Sequence, residues 1–252
     1  MAAKLILFPV PIGDSDIDIA IPPYNRQLLN TCRTFIVEDI RTARRNLKRM
    51  GYEHPIDETQ FFELDEHTPE TSITHYLDPI ANGENIGLMS EAGLPCIADP
   101  GSLITAMAHR QGIEIIPLVG PSSIMLALMA SGFNGQNFAF NGYPPIDSHK
   151  LSALLKTIEP RIYRDSQTQI FIEAPYRNDK LLENLARSLM PTTRICVACD
   201  ITLPTQYIRT RMARLWLNDP PLLHNAPPYS CSTNNLHPFE KYKENQSINK
   251  QT

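Results

Sequence analysis

The sequence predicts an α/β chain of two domains, a mostly parallel sheet in the first and a mixed sheet in the second. Three observations carry that expectation. Apolar runs at 4–10, 35–38, 84–89 and 113–119 alternate with helical patterns, as parallel strands covered on both faces require. Three of these runs end in loops bearing glycine, "VPIGDSD" at 10–16, "SEAGLPCIADPG" at 90–101 and "LVGPSSIM" at 118–125. Past Gly132 the rhythm changes, which puts a boundary near 119–122 and gives domains 1–119 and 120–232.

The elements follow in order. The run 4–10 is a buried strand, 35–38 a second one, and a helix then reaches about Met50. Strand 84–89, helix 102–111 and strand 113–119 continue the pattern. Residues 122–131 are small or apolar on nearly every side and so predict a buried helix, in which Met125 and Met129 read as core. In the second domain 138–140, 169–173 and 194–199 read as strands, with 207–214 a weaker one, while 150–158 and 178–189 read as helices. From Asn218 onward the chain is rich in Pro, Asn, Ser and Lys, and 233–252 reads as a disordered tail. "NAPPYSCSTNN" holds two adjacent prolines and is not expected to supply a central strand. A shifted reading frame or a truncated domain edge would account for such a tail.

At 252 residues, 42% hydrophobic and 20% charged, the composition is that of an ordinary soluble protein. A net charge of −4 gives no global attraction to nucleic acid, so any such binding needs a local patch. Five scattered cysteines predict reduced thiols and a cytoplasmic protein. The apolar start is short and meets Asp14 and Asp16, which argues against a signal peptide. The apolar tract 113–133 is cut by Pro117, Gly120 and Pro121 into strand and helix, which argues against a membrane span.

A glycine-rich exit from the carboxyl end of a parallel strand is where open α/β sheets place ligands. Glycine lets the backbone approach a ligand, and proline fixes its path. Serines at a helix start cap it or bond a ligand. Three such loops at one sheet edge suggest a cofactor site, although ordinary βα turns would look the same. The fingerprints G-x-G-x-x-G and G-x-x-x-x-G-K-[ST] are absent, so a common NAD or ATP site is not indicated.

"PIGD", "FIVEDIRTARR", "SEAGLPCIADPG", "PLVGPSSIMLALMASGF", "FAFNGYPP" and "IFIEAPYRN" resemble, in this order, the tetrapyrrole methylase superfamily. They look most like its branch that methylates small-subunit ribosomal RNA at a ribose 2'-hydroxyl. The likeness runs over about 4–217. It implies a two-domain α/β methyltransferase, usually a homodimer, that binds S-adenosylmethionine between its domains. By that resemblance Pro11, Ala92, Gly93, Leu94, Ile97, Ser122, Ser123, Glu173 and Ala174 border the cofactor, and the loop's carboxylates are secondary. Asp14, Ile40, Glu91, Leu94, Ala174 and Tyr176 depart from the branch's usual pattern and mark a divergent member.

"RTARRNLKRM" is the candidate RNA contact. Arg41, Arg44, Arg45, Lys48 and Arg49 fall within about 140° of a helical circumference, with Ala43, Leu47 and Met50 opposite. Five cations on one face suit phosphates, and a solvated face with scattered ion pairs is the other reading. Arg161, Arg164 and Arg177 are expected to add charge from the second domain. Ribose methylation needs a base near the hydroxyl but no metal. Asp39 and Glu91 are the candidates, and a helix-start role suits Asp39 equally. Cys196 and Cys199 have ligand spacing but lie in a strand pattern without a second pair, so they read as core. Two further functions remain open: methylation of a corrinoid or porphyrin precursor, and a degenerate member that binds cofactor or RNA without catalysis.

Overall fold

The computed structural model describes residues 2–65 and 67–221, together with the backbone of 229–234. The chain forms two compact units, dividing between Ser122 and Ser123.

The first unit contains β1 (Lys4–Phe8), α1 (Ile17–Ala20), α2 (Pro23–Leu29), β2 (Cys32–Val37), α3 (Ile40–Arg49), β3 (Gln60–Glu63), α4 (Asp78–Ala81), β4 (Asn85–Met89), α5 (Gly101–Arg110) and β5 (Glu114–Pro117). Its sheet has the order β3-β2-β4-β1-β5, and every pairing is parallel. The strands are apolar on both faces because both faces are covered. Leu29 of α2 with Ala43 and Leu47 of α3 pack against Phe8, Phe35 and Val37 on one side. Ile104, Met107 and Ala108 of α5 pack with Leu5, Ile36 and Leu88 on the other. Gly87 of β4 is needed for this packing, since a Cβ there would overlap the Phe35 ring. The short strand β3 was not expected; at four residues it offers too little pattern to be recognised.

The second unit contains α6 (Ser123–Ser131), β6 (Phe138–Phe140), α7 (Ser148–Asp165), β7 (Thr168–Glu173), α8 (Asn178–Ser188), β8 (Arg194–Cys199), β9 (Tyr207–Met212), α9 (Ala213–Asn218) and β10 (Tyr229–Asn234). Its sheet has the order β6-β7-β10-β8-β9. Only β6 and β7 pair in parallel, and the other three pairings are antiparallel, so the sheet is mixed. The core beneath it joins Leu151, Phe171, Leu185, Val197 and Trp216. The Trp216 indole donates to the Ile195 carbonyl at 3.1 Å.

Two expectations fail here. The proline-rich stretch does lead into a central strand, because β10 lies between β7 and β8 and is antiparallel to both. Pro227 and Pro228 precede Tyr229, so 229–234 keep every backbone donor that the two ladders need. Helix α6 is not buried all round: Ile124, Ala127 and Leu128 face inward, whereas Met125 is 45% and Met129 77% exposed. The remainder of the tail, 235–252, lies outside the described residues.

None of Cys32, Cys96, Cys196 and Cys199 is in a disulfide. Cys196 and Cys199 are core residues of β8, and burial pushes the Cys32 thiol up to about 12. Among the described residues no helix is long and apolar enough to cross a membrane. No group of three or more His, Cys, Asp or Glu among them is arranged to hold a metal.

Candidate functional site

Neighbouring strands β1 and β4 send the chain to opposite faces of the first sheet. From β1 it runs through α2 to β2, and from β4 through α5, on the other face, to β5. Strands that part in this way open a crevice at their carboxyl ends, the usual ligand position of open α/β sheets. The loops at that edge meet. Val10 and Gly93 exchange main-chain hydrogen bonds of 2.9 and 3.1 Å. A Cβ on Gly93 would lie 3.3 Å from Ile12 Cγ2 and 3.4 Å from the Pro121 carbonyl, so loops 10–16, 90–101 and 118–122 converge on this glycine. Gly120 lies so close to Pro9 that a Cβ would overlap its ring. The Asn25 side-chain amide donates to the Val119 carbonyl at 2.9 Å and fixes the third loop from below.

Within 90–101 the main chain is tightly bent. Gly93, Cys96 and Ala98 have φ of 74°, 68° and 60°, and the last two carry side chains in a left-handed region that disfavours them. The Asp99 carboxylate accepts from the Cys96 N–H at 2.9 Å and from the Gly101 N–H at 2.7 Å. Burial raises its pKa above the usual carboxylate range, and the two N–H donors partly offset that. Glu91 and Ala92 are exposed, Gly93 is buried, Leu94 is half-buried, and Ile97 is 48% exposed. A small pocket beside the loop, at the carboxyl ends of β2 and β4, is lined by Val37, Glu38, Met89, Ser90, Asp99 and Pro100 among others.

Pro11 is buried in the first loop, and Ser122 and Ser123 are half-buried at the start of α6. In the second unit, Glu173 ends β7 with 1% of its surface exposed. Its Oε1 accepts from the Ala174 N–H at 2.8 Å, and its Oε2 lies 2.8 Å from Arg177 Nη2. Burial raises the Glu173 pKa, against the opposing pull of the Ala174 N–H and the Arg177 charge. The same Nη2 donates to the Pro144 carbonyl at 3.2 Å. Arg177 thus ties the loop after β6 to the end of β7.

Helix α3 carries the basic face. Arg41, Arg44, Arg45 and Lys48 are exposed, while Ala43, Asn46 and Leu47 are buried. The Arg44 guanidinium sits 5.6 Å from the centre of the Phe61 ring. Arg49 is half-buried and turned to the first loop: its Nη2 donates to the Ser15 carbonyl at 2.8 Å and lies 3.3 Å from Asp14 Oδ1. Asp39 caps the helix, accepting from the Thr42 N–H at 2.6 Å. Its bonds with the Thr42 side chain and main chain hold its pKa below the usual value. The ties of Arg49 and the clamp made by Asp99 were not visible in the sequence, since both depend on loops that fold back on themselves.

No family model matches the chain. It is 32% identical over 195 residues to "Ribosomal RNA small subunit methyltransferase I" of Xylella fastidiosa, covering 77% of this chain and 66% of that protein. The protein of the same name from Pseudomonas aeruginosa is 30% identical over 73% of this chain and 60% of its own length. That from Bacillus subtilis is 29% identical over 218 residues, 85% of this chain and 70% of the relative. The chain therefore spans less than two thirds of the length of the first two relatives. Among solved structures, the crystal structure of the methyltransferase CobJ superposes with a TM-score of 0.61, covering 92% of this chain and 94% of that one. At 18% identity that likeness concerns the fold.

Proposed function

Because the chain belongs to the tetrapyrrole methylase superfamily, on its ribosomal RNA small subunit methyltransferase I branch, we propose that it methylates a ribose 2'-hydroxyl of small-subunit ribosomal RNA. The observation that carries this reading is the convergence of three glycine-bearing loops on Gly93, at the carboxyl edge where β1 and β4 part. The residues there suit S-adenosylmethionine. Exposed Ala92 and half-buried Leu94 leave main-chain groups within reach of a ligand, and Ile97 offers apolar surface. On this reading the first unit's loop residues Pro11, Ala92, Gly93, Leu94, Ile97 and Ser122 hold the donor. S-adenosylmethionine supplies a methyl group activated by its sulfonium charge.

The chain's own residues then have three tasks. The loops orient the donor. Arg41, Arg44, Arg45 and Lys48 hold RNA phosphates, the electrostatic term that dominates such binding. A carboxylate accepts the hydroxyl proton as the new bond forms, and we assign this to Glu91, which is exposed at the loop's start, over Asp39, which is engaged as a cap. The enzyme works in the cytoplasm, where ribosomal subunits are assembled, and acts as a homodimer like the family it resembles.

The test is methyl transfer from labelled S-adenosylmethionine to small ribosomal subunits, with corrinoid and porphyrin precursors in parallel. Label recovered at a ribose 2'-oxygen supports the reading. Label found only in a tetrapyrrole overturns the substrate, and absence of transfer to either overturns catalysis.

A further inference from the structure

We propose that Asp99 is a positioning residue of the donor site, whose carboxylate clamps the main chain of 93–98 in a strained shape before the donor arrives. The inference rests on the donor-binding reading above and assigns to one side chain the upkeep of that loop.

The geometry separates this role from helix capping. Asp99 lies two residues before Gly101, the first residue of α5, and its bond to the Gly101 N–H is an ordinary local one at a helix start. Its bonds to the Cys96 N–H, with both oxygens at 2.9 Å, run backward into the loop and satisfy no helical donor. They span the two left-handed residues with side chains, Cys96 and Ala98. Such backbone persists only where its surroundings over-determine it, and it concentrates at ligand clamps. The surroundings here are specific. A Cβ on Gly101 would lie 2.9 Å from Asp99 Oδ1 and from Leu88 Cδ2, so a side chain there would have to displace the carboxylate or the Leu88 tip. Cys96 Sγ is 3.2 Å from Thr105 Oγ1, which anchors the same residue to α5. A carboxylate kept at a half-buried position, where burial raises its pKa, supports a role that an apolar residue could not fill.

A mutant cycle on the full chain tests the clamp, with S-adenosylhomocysteine as the calorimetric probe and methyl transfer to small subunits as the kinetic one. Asp99→Ala is expected to weaken the probe by about tenfold or more. The KM for S-adenosylmethionine should rise while kcat at saturation changes far less, the pattern of lost binding geometry. Ala98→Gly relieves left-handed strain, so adding it to Asp99→Ala should restore part of the affinity that Asp99→Ala alone loses. A merely structural role would lower Tm without this rescue. Asp99→Asn keeps one accepting oxygen and near-identical volume, and its affinity should fall between those of the parent and Asp99→Ala. The proposal is overturned if folded Asp99→Ala or Asp99→Asn binds the probe as the parent does, or if the loss lies in kcat alone. Failure of the parent chain itself to bind the probe overturns the donor-site reading instead, and the clamp falls with it.

Discussion

Asp39 and Asp99 both accept main-chain N–H groups beside a strand end, yet their acidities move in opposite directions. For Asp39 the bonds with Thr42 favour the charged form and outweigh desolvation, so its pKa falls. Asp99 is half-buried, and desolvation outweighs its two donors. A carboxylate with lowered affinity for protons is a poor base, which is why a role in the helix cap suits Asp39 better than one in catalysis. Asp39→Ala is expected to cost about 1 kcal/mol, as loss of an N-cap does. Asp39→Asn should keep most of the cap and leave methyl transfer within a few-fold of the parent. Since the folded-state pKa is depressed, the stabilisation is present above the unfolded value and lost as pH falls through the folded one. Thermal unfolding of the parent and Asp39→Ala followed down through that range should show the gap closing. Glu91→Gln should lower kcat by roughly 10²- to 10⁴-fold if Glu91 removes the hydroxyl proton; an unchanged kcat would reassign the base. From sequence both roles of Asp39 stood open, because a carboxylate at a strand end looks the same whether it meets a helix or a substrate.

At the scale of the element, α3 was readable in full because ten residues of regular periodicity outweigh any local ambiguity. What periodicity could not show is that its five cations divide. Arg41, Arg44, Arg45 and Lys48 face solvent, whereas Arg49 braces the first loop through Ser15 and Asp14. Replacing the four exposed residues singly by glutamine should weaken RNA binding and reduce the slope of log affinity against log salt by about 0.7 per lost phosphate contact on single-stranded RNA. Arg49→Gln should leave that slope unchanged and lower Tm instead. Filter binding across a salt series separates the two outcomes. Helix α6 shows the opposite failing: with apolar residues all round, its sequence does not tell which flank faces a neighbour, and Met125 and Met129 were assigned to the core although they are exposed. Short β3 and the helical turn at α9 were illegible for lack of length.

For the whole molecule, alternation of strands and helices was enough to expect a mostly parallel sheet in the first unit, whereas the mixed second sheet was expected only from the family resemblance. The centre of the second sheet was not legible, because β10 is a polar strand, Tyr-Ser-Cys-Ser-Thr-Asn, whose place depends on partners far away in the chain. Cys231 stands opposite Phe171 of β7 and Val197 of β8, within both ladders. Among the described residues, strands β7 and β8 have no hydrogen-bonded neighbour in common except β10, which therefore joins the sheet's two halves. Proline at 231 removes a donor from a ladder with partners on both sides, a position where sheets do not tolerate it. Cys231→Pro should therefore cost about 3 kcal/mol or more, whereas Cys231→Ser, which keeps the N–H, should cost far less. Trp216 is the single tryptophan of the chain. It lies in the core of the second unit, so its fluorescence in a urea titration reads that unit directly. An unshifted midpoint in Cys231→Pro would show that β10 does not join the two halves.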